Sequence, residues 1–308
     1  MAKSSVNRFF QKIFNSFEES VVVNLQISHL PSKIQAYIRE IVGTTEALLG
    51  RDSISAVLLF GSAVYSLNQF DKISDVDLLV IVKNSISNHK IKGINPILTG
   101  IVIKHKYRNF SRNWHARMLH IVEKSTGMFC SFFISTEKNW KDSRFTKIFS
   151  TNPILTNLLA PNKIVLDSMR AGTTVLYNAN TEIINLEPIQ KSYPITQILK
   201  SLLLNLMMSL GTLFILFFNK IYVKYMLESI KWSIRSCDFY LNREINPLSE
   251  IVRNYTKLGI EESFLQRFLE LRKNPEQDLT FCLKVPYNII KIHLITLKFK
   301  KKNYTIFF

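Results

Sequence analysis

Residues 58–82 read LLFGSAVYSLNQFDKISDVDLLVIV, and this stretch decides the fold of the first half of the chain. The apolar run 57–60 ends at Gly61-Ser62, and a second apolar run, 78–82, is entered through Asp75-Val76-Asp77. Short apolar runs bounded by polar turns are typical of buried β-strands. Because side chains alternate along a strand, we expect Asp75 and Asp77 to lie on one face and Val76 on the other.

The two aspartates predict a metal site. Adjacent carboxylates repel each other, and each then favours its protonated form unless a cation is bound between them. Oxygen ligands suit Mg²⁺ or Mn²⁺, which bind through one or two carboxylates together with substrate phosphates. Gly61 lets the backbone approach a ligand closely. A helix beginning at Ser62 would offer free N–H groups to those phosphates.

Gly61-Ser62 followed by a polar loop and then Ser74-Asp75-Val76-Asp77 resembles the signature of the nucleotidyltransferases of the DNA polymerase β superfamily. The resemblance covers residues 54–177 as a domain. It implies an NTP substrate, transfer of a nucleoside monophosphate to a hydroxyl and release of pyrophosphate. It also implies that Asp75 and Asp77 hold the metal and that Gly61 and Ser62 bind the nucleotide. The chain departs from the family at Tyr65-Ser66, where relatives often carry Arg-Gly or Lys-Gly.

The family has a third carboxylate on a later strand, which we expect at Met128–Ser135. This segment, MFCSFFIS, contains no acid, and Cys130 or Ser131 falls near the expected position. The closest acid is Glu123, which we take as the candidate third catalytic residue. Two alternatives stay open: two carboxylates hold the metal alone, or the domain only binds nucleotide.

Residues 104–124 combine basic and aromatic side chains. Arg108 and Arg112 are four apart and would share a helix face, with Tyr107, Phe110 and Trp114 interleaved. Arginine can hold phosphate and aromatic rings can stack on bases, so we predict nucleotide binding by Arg108 and Arg112. An amphipathic helix with solvated arginines is an equal alternative.

The formal charge of the 308-residue chain is +17, and it is concentrated in two segments. Residues 101–150 carry 10 Lys/Arg against 3 Asp/Glu, and residues 251–308 carry 11 against 5. This excess favours a polyanionic partner, RNA or tRNA, through residues 104–124 and the basic C-terminal region. The three cysteines match no zinc or redox spacing, and the first residues contain no signal-peptide pattern, so we expect a cytoplasmic protein.

The pattern divides the chain into three parts: N-terminal helices over 1–50, the nucleotidyltransferase domain over 51–180 and an α-helical domain over 190–308. Pro31 begins a helix that Gly50 stops. Asn95–Val102 is ambiguous between helix and strand, Lys163–Asp167 is interpreted as a short strand, and Ala171–Tyr177 closes the domain as another strand. The later helix candidates are Ile195–Phe218, Ile221–Leu241, Pro247–Leu258, Gly259–Lys273 and Phe281–Leu297.

Ser201–Phe218 is an apolar run of 18 residues without a charge, at the lower limit of transmembrane length. Asn205, Ser209 and Thr212 interrupt it. We therefore favour a central bundle helix buried on all sides over a membrane anchor, and we do not expect a membrane partner.

The predicted fold class is α+β: a nucleotidyltransferase-type mixed sheet with flanking helices, followed by an all-α helical bundle. The leading function is metal-dependent nucleotidyl transfer to RNA or tRNA, a protein or a small molecule. The second is a catalytically degenerate nucleotide- or RNA-binding module. The third is a membrane-attached or complex-forming protein acting through Ser201–Phe218.

Overall fold

The computed structural model describes residues 24–61, 64, 76–107, 131–179, 184, 186–187, 189–190, 192–215 and 222–305. Its first half contains four strands and six helices within this range. These elements are α1 (Ser32–Leu49), β1 (Ile54–Phe60), β2 (Asp77–Val82), α2 (Asn88–Lys104), β3 (Phe132–Thr136), α3 (Glu137–Lys141), α4 (Phe145–Ile148), α5 (Pro153–Leu159), α6 (Asn162–Ala171) and β4 (Thr174–Asn178).

The four strands form one mixed sheet in the order β3-β2-β1-β4. β1 pairs antiparallel with both β2 and β4, whereas β2 and β3 run parallel. Phe60 at the end of β1 therefore lies opposite Asp77 at the start of β2. The prediction of a mixed sheet with flanking helices is confirmed.

Both faces of the sheet are covered, which explains why its central strands are almost entirely apolar. Val57 and Leu59 of β1 pack toward α1 and α2, together with Leu78 and Val80 of β2. The alternate residues, such as Leu58 and Leu79, pack toward α3, α4 and α6. Asp77 alternates with Leu78, so it belongs to the second face, at the edge where β1 ends and β2 begins.

The sequence analysis predicted the ends of some helices and strands correctly and those of others wrongly. α1 begins after Pro31 and ends before Gly50, whose φ is 107°, as predicted. Asn95–Val102 is part of α2, which begins earlier because the Ser87 hydroxyl accepts a hydrogen bond from Lys90 N. The predicted strand at Lys163–Asp167 is wrong: these residues lie in α6. Five residues were too short a window, and the spacing of buried Ile164, Asp167 and Arg170 over the longer segment is helical.

After Tyr193 every described element is a helix. These helices are α7 (Ile195–Ile215), α8 (Tyr222–Asn242), α9 (Leu248–Lys257), α10 (Glu262–Lys273) and α11 (Leu279–Thr305). They share a core built on residues such as Ile230, Phe268 and Ile289, all fully buried. The three-part division of the chain and the bundle as a separate domain stay predictions.

The expectation that Ser201–Phe218 is buried on all sides is wrong for the part that the structure describes. Leu203, Met207 and Leu210 of α7 are about half exposed, at 45–54%. The buried residues are the polar Ser201, Asn205, Ser209 and Thr212, together with Leu204 and Met208. Hydropathy counts apolar residues but does not tell which side of a helix faces the core. Among the described residues, no helix is long and apolar enough to cross a membrane.

Candidate active site

The ends of β1 and β2 bring Gly61 and Asp77 together. Gly61 has φ of 80°, in the left-handed region that favours glycine. A Cβ at this position would overlap Asp77 Oδ2 and lie 3.2 Å from Asp77 Cγ. Val64 N donates a hydrogen bond to Gly61 O over 3.3 Å. The absence of a side chain at Gly61 is therefore what lets the backbone pass against the Asp77 carboxylate.

β3 adds Ser131 to this edge of the sheet. Leu78 N donates to Ser131 O over 3.1 Å, which fixes Ser131 beside Asp77 in the parallel register. The Tyr37 hydroxyl of α1 donates to the same carbonyl over 3.0 Å. The Ser131 hydroxyl donates to Tyr107 O over 3.5 Å, and burial raises the pKa of Tyr107. Ser131 is thus held by backbone and aromatic contacts.

Aromatic rings line the same sheet face as Asp77. Phe60, opposite Asp77 on β1, stacks on Phe133 of β3 with ring centroids 6.1 Å apart. Phe133 meets Phe149 edge to face at 4.8 Å. The sequence analysis missed Phe60 and Tyr37 as neighbours of the site. Alternation along β1 could have placed Phe60 on this face, but its pairing with Asp77 depends on the long-range register.

The third carboxylate does not come from the described part of β3, whose residues 131–136 contain no acid. Glu137 follows β3 directly but lies at the far end, six residues from Ser131 and hence roughly 20 Å away. Its carboxylate accepts a hydrogen bond from Ser55 Oγ over 2.5 Å, near the start of β1. Glu137 therefore cannot replace the missing acid.

Of the seven predicted site residues, Gly61 and Asp77 are described and lie together. Asp75, Ser62, Arg108, Arg112 and Glu123 lie outside the described residues. Within the described ranges, no group of three or more His, Cys, Asp or Glu side chains is placed to hold a metal ion. The Asp77 carboxylate is itself an oxygen donor suited to Mg²⁺ or Mn²⁺.

Comparison with known proteins does not show a family. No family model matches the chain, and no curated protein matches it. Among solved structures, the chain is similar to spectinomycin adenyltransferase AAD(9) from Enterococcus faecialis, solved with ATP and spectinomycin. The TM-score is 0.44 at 12% sequence identity, over 83% of this chain and 98% of that chain. Because this TM-score is below 0.5, we base no argument on the likeness.

Proposed function

We propose that the protein is a metal-dependent nucleotidyltransferase that moves a nucleoside monophosphate from an NTP to a hydroxyl acceptor. The observation that supports this most is the contact at the sheet edge. Gly61, in a left-handed turn at the end of β1, packs its backbone against the carboxylate of Asp77 at the start of β2. The sequence analysis assigned a phosphate-binding turn and a metal-binding carboxylate to these two positions.

In this proposal Asp75 and Asp77 hold Mg²⁺, which when bound neutralises phosphate charge and aligns the reacting oxygens. Gly61 and Ser62 bind the β- and γ-phosphates through backbone N–H groups and the Ser62 hydroxyl. The acceptor oxygen attacks the α-phosphorus while the bond from that phosphorus to the bridging oxygen breaks. Pyrophosphate leaves, and the proton of the acceptor hydroxyl passes to a carboxylate.

The remaining predicted residues have supporting roles in the same proposal. Arg108 and Arg112 neutralise charge on the phosphates. Glu123 supplies the third carboxylate, which the described part of β3 lacks. RNA or tRNA is the acceptor class that the basic segments favour, with proteins and small molecules to be tested beside it.

The test is incorporation of label from each α-labelled NTP in the presence of Mg²⁺, with total RNA, a protein mixture or small polyols as acceptor. We expect Asp77→Asn to lower the rate about a thousandfold, because removing a metal ligand costs about 4 kcal/mol of transition-state stabilisation. Asp52→Asn is the matched control. Asp52 precedes β1 at the opposite end of the sheet, and its φ of 58° suits asparagine equally well. Equal rates for the two variants would contradict the proposal.

A degenerate nucleotide-binding module is the second candidate, and the acid-free sequence of β3 favours it. It predicts that the protein binds an Mg²⁺–NTP complex by calorimetry without transferring label to any acceptor. Asp77→Asn would then weaken binding while incorporation stays at background for both proteins.

A further inference from the structure

A stripe of large apolar side chains is exposed along two neighbouring helices of the second half. On α7 the exposed residues recur every three or four positions, and the same holds on α11. We call these ten side chains the exposed stripe: Ile195, Leu199, Leu203, Met207 and Leu210 on α7, and Leu279, Leu283, Tyr287, Ile290 and Leu294 on α11. Each is 40–65% exposed. This spacing places each set on one face of its helix.

The two helices run side by side in opposite directions. His293 Nε2 of α11 lies 3.2 Å from Ser201 Oγ near the start of α7. Lys300 Nζ, about two turns further along α11, donates to Tyr193 O just before α7 begins. The two rows of the exposed stripe therefore lie on neighbouring helices.

On α7 and α11 polar side chains share the buried side of the helix with apolar ones, while the exposed stripe lies on the outer side. On α7 the buried Asn205 donates to Ser201 O, and the buried Thr212 donates to Met208 O. On α11 the buried Thr296 contacts the Tyr255 hydroxyl over 2.8 Å. A helix facing water exposes its polar side. Here several polar side chains lie on the buried side, and the outer side carries the apolar exposed stripe.

The size of the exposed stripe is unusual for a surface that faces only water. From the exposed fractions its area is roughly 900 Å², whereas the largest apolar patch of a typical monomer is about 300–600 Å². Patches of this size mark contacts with proteins or membranes.

The charged residues around the exposed stripe indicate whether a protein or a membrane fits this surface better. α7 and α11 together contain seven lysines and no Asp or Glu. Lys200, Lys284 and Lys291 each directly follow a stripe residue, so they lie about 100° around the helix, at the edge of the stripe. Lys284 pairs with Glu261 of the α10 N-terminus over 3.2 Å. A second copy would bring the same lysines face to face without acids on these helices to balance them.

We propose that the exposed stripe docks the protein onto an anionic lipid surface, with α7 and α11 lying in the plane of the membrane. The apolar side chains enter the boundary between headgroups and acyl chains, and the flanking lysines meet the anionic headgroups. This mode requires no spanning helix. It is independent of the proposed nucleotidyl transfer, since neither Gly61 nor Asp77 belongs to the stripe.

The test is co-sedimentation of the full chain with vesicles of phosphatidylcholine alone and with about 30% phosphatidylserine. We expect partitioning onto the anionic vesicles that falls at least tenfold on neutral vesicles. Leu203→Gln/Leu294→Gln, with one change on each helix, should lower partitioning at least tenfold because both side chains lose apolar burial. Lys291→Gln should lower it for anionic vesicles only.

The matched control is Ile154→Gln/Leu158→Gln on α5, whose side chains are 78% and 61% exposed but lie outside the stripe. It should partition like the wild type, and thermal unfolding should show all variants folded. Three results would overturn the proposal: no wild-type partitioning onto anionic vesicles, equal loss in the stripe and control variants, or a wild-type dimer by sedimentation equilibrium that the stripe variant dissociates.

Discussion

Gly61 has no Cβ, and this leaves room for the Asp77 carboxylate at the candidate site. The backbone passes so close to Asp77 that a methyl group would displace the carboxylate. The chain contains a second glycine with the same kind of backbone but open surroundings. Gly259, between α9 and α10, has φ of 100° and nothing within 4 Å of an added Cβ. Alanine at Gly259 would strain the backbone only, whereas alanine at Gly61 would also displace the Asp77 carboxylate, so the two variants distinguish these effects.

We predict that Gly61→Ala lowers nucleotidyl transfer about a hundredfold, the cost of a misplacement of about 1 Å at a reacting centre. Both Gly61→Ala and Gly259→Ala should lose about 1 kcal/mol of unfolding free energy, because alanine disfavours the left-handed region. Transfer rates and urea unfolding curves for the two variants check this. If Gly61→Ala transfers label as fast as Gly259→Ala, the contact with Asp77 is not part of the site.

A single buried acid, Asp167 of α6, connects the sheet half to the helices that follow. It is 1% exposed, and its carboxylate accepts hydrogen bonds from Ile189 N, Gln190 N and the Tyr193 hydroxyl over 2.8–3.3 Å. Burial and the hydrogen bond to Asp167 raise the pKa of Tyr193. The acid therefore fixes the chain between β4 and α7.

We predict that Asp167→Ala lowers the unfolding free energy by about 3 kcal/mol, since the buried Tyr193 hydroxyl and two part-buried backbone N–H groups lose their acceptor together. Tyr193→Phe removes only one of these bonds and should cost about 1 kcal/mol. Chemical denaturation with an unchanged m-value measures both. Equal, small effects for the two variants would show that Asp167 is not the common acceptor in solution.

The ends of helices and strands could be predicted from the sequence where they depend on a few neighbouring residues. Pro31 and Gly50 bound α1 because each favours one backbone geometry. The apolar run 57–60 forms the second part of β1, which ends directly before Gly61 as predicted. Asp77 and Gly61 lie together because their strands are neighbours. The other five predicted site residues lie outside the described ranges and stay predictions.

The sequence was less informative where long-range packing decides. Lys163–Asp167 contains a short apolar run that was interpreted as a strand, but the periodicity of the longer α6 is helical. The apolar count of α7 predicted burial on all sides, whereas one side of this helix, with Leu203, Met207 and Leu210, is exposed. By contrast, the pairing of β2 and β3 places Ser131 beside Asp77, and Ser131 is one of the two residues that the sequence analysis expected near this position.

At the scale of the whole molecule, the helical half is held together partly by polar contacts that water does not reach. His293 of α11 is fully buried, and its Nδ1 lies 2.8 Å from Ile289 O. A carbonyl can only accept, so Nδ1 carries the proton, and Nε2 accepts from the Ser201 hydroxyl of α7. Burial favours the neutral ring and lowers the pKa of His293 to about 4.

The unfolding free energy of the protein should therefore decrease as the pH is lowered through the range in which His293 titrates. Above pH ~6.5 His293 is neutral in both the folded and unfolded states, and its contribution is constant. Between pH ~6.5 and ~4 the unfolded chain binds a proton that the folded chain does not, so the unfolding free energy decreases as pH falls, by up to about 3 kcal/mol. Below pH ~4 both states bind this proton.

The variant His293→Gln keeps a hydrogen-bond donor and an acceptor at this position but does not titrate. We expect its unfolding free energy, measured in urea from pH 7 to 4, to decrease less than that of the wild type, by the contribution of one proton. Parallel curves for the two proteins would mean that His293 titrates normally in the folded state.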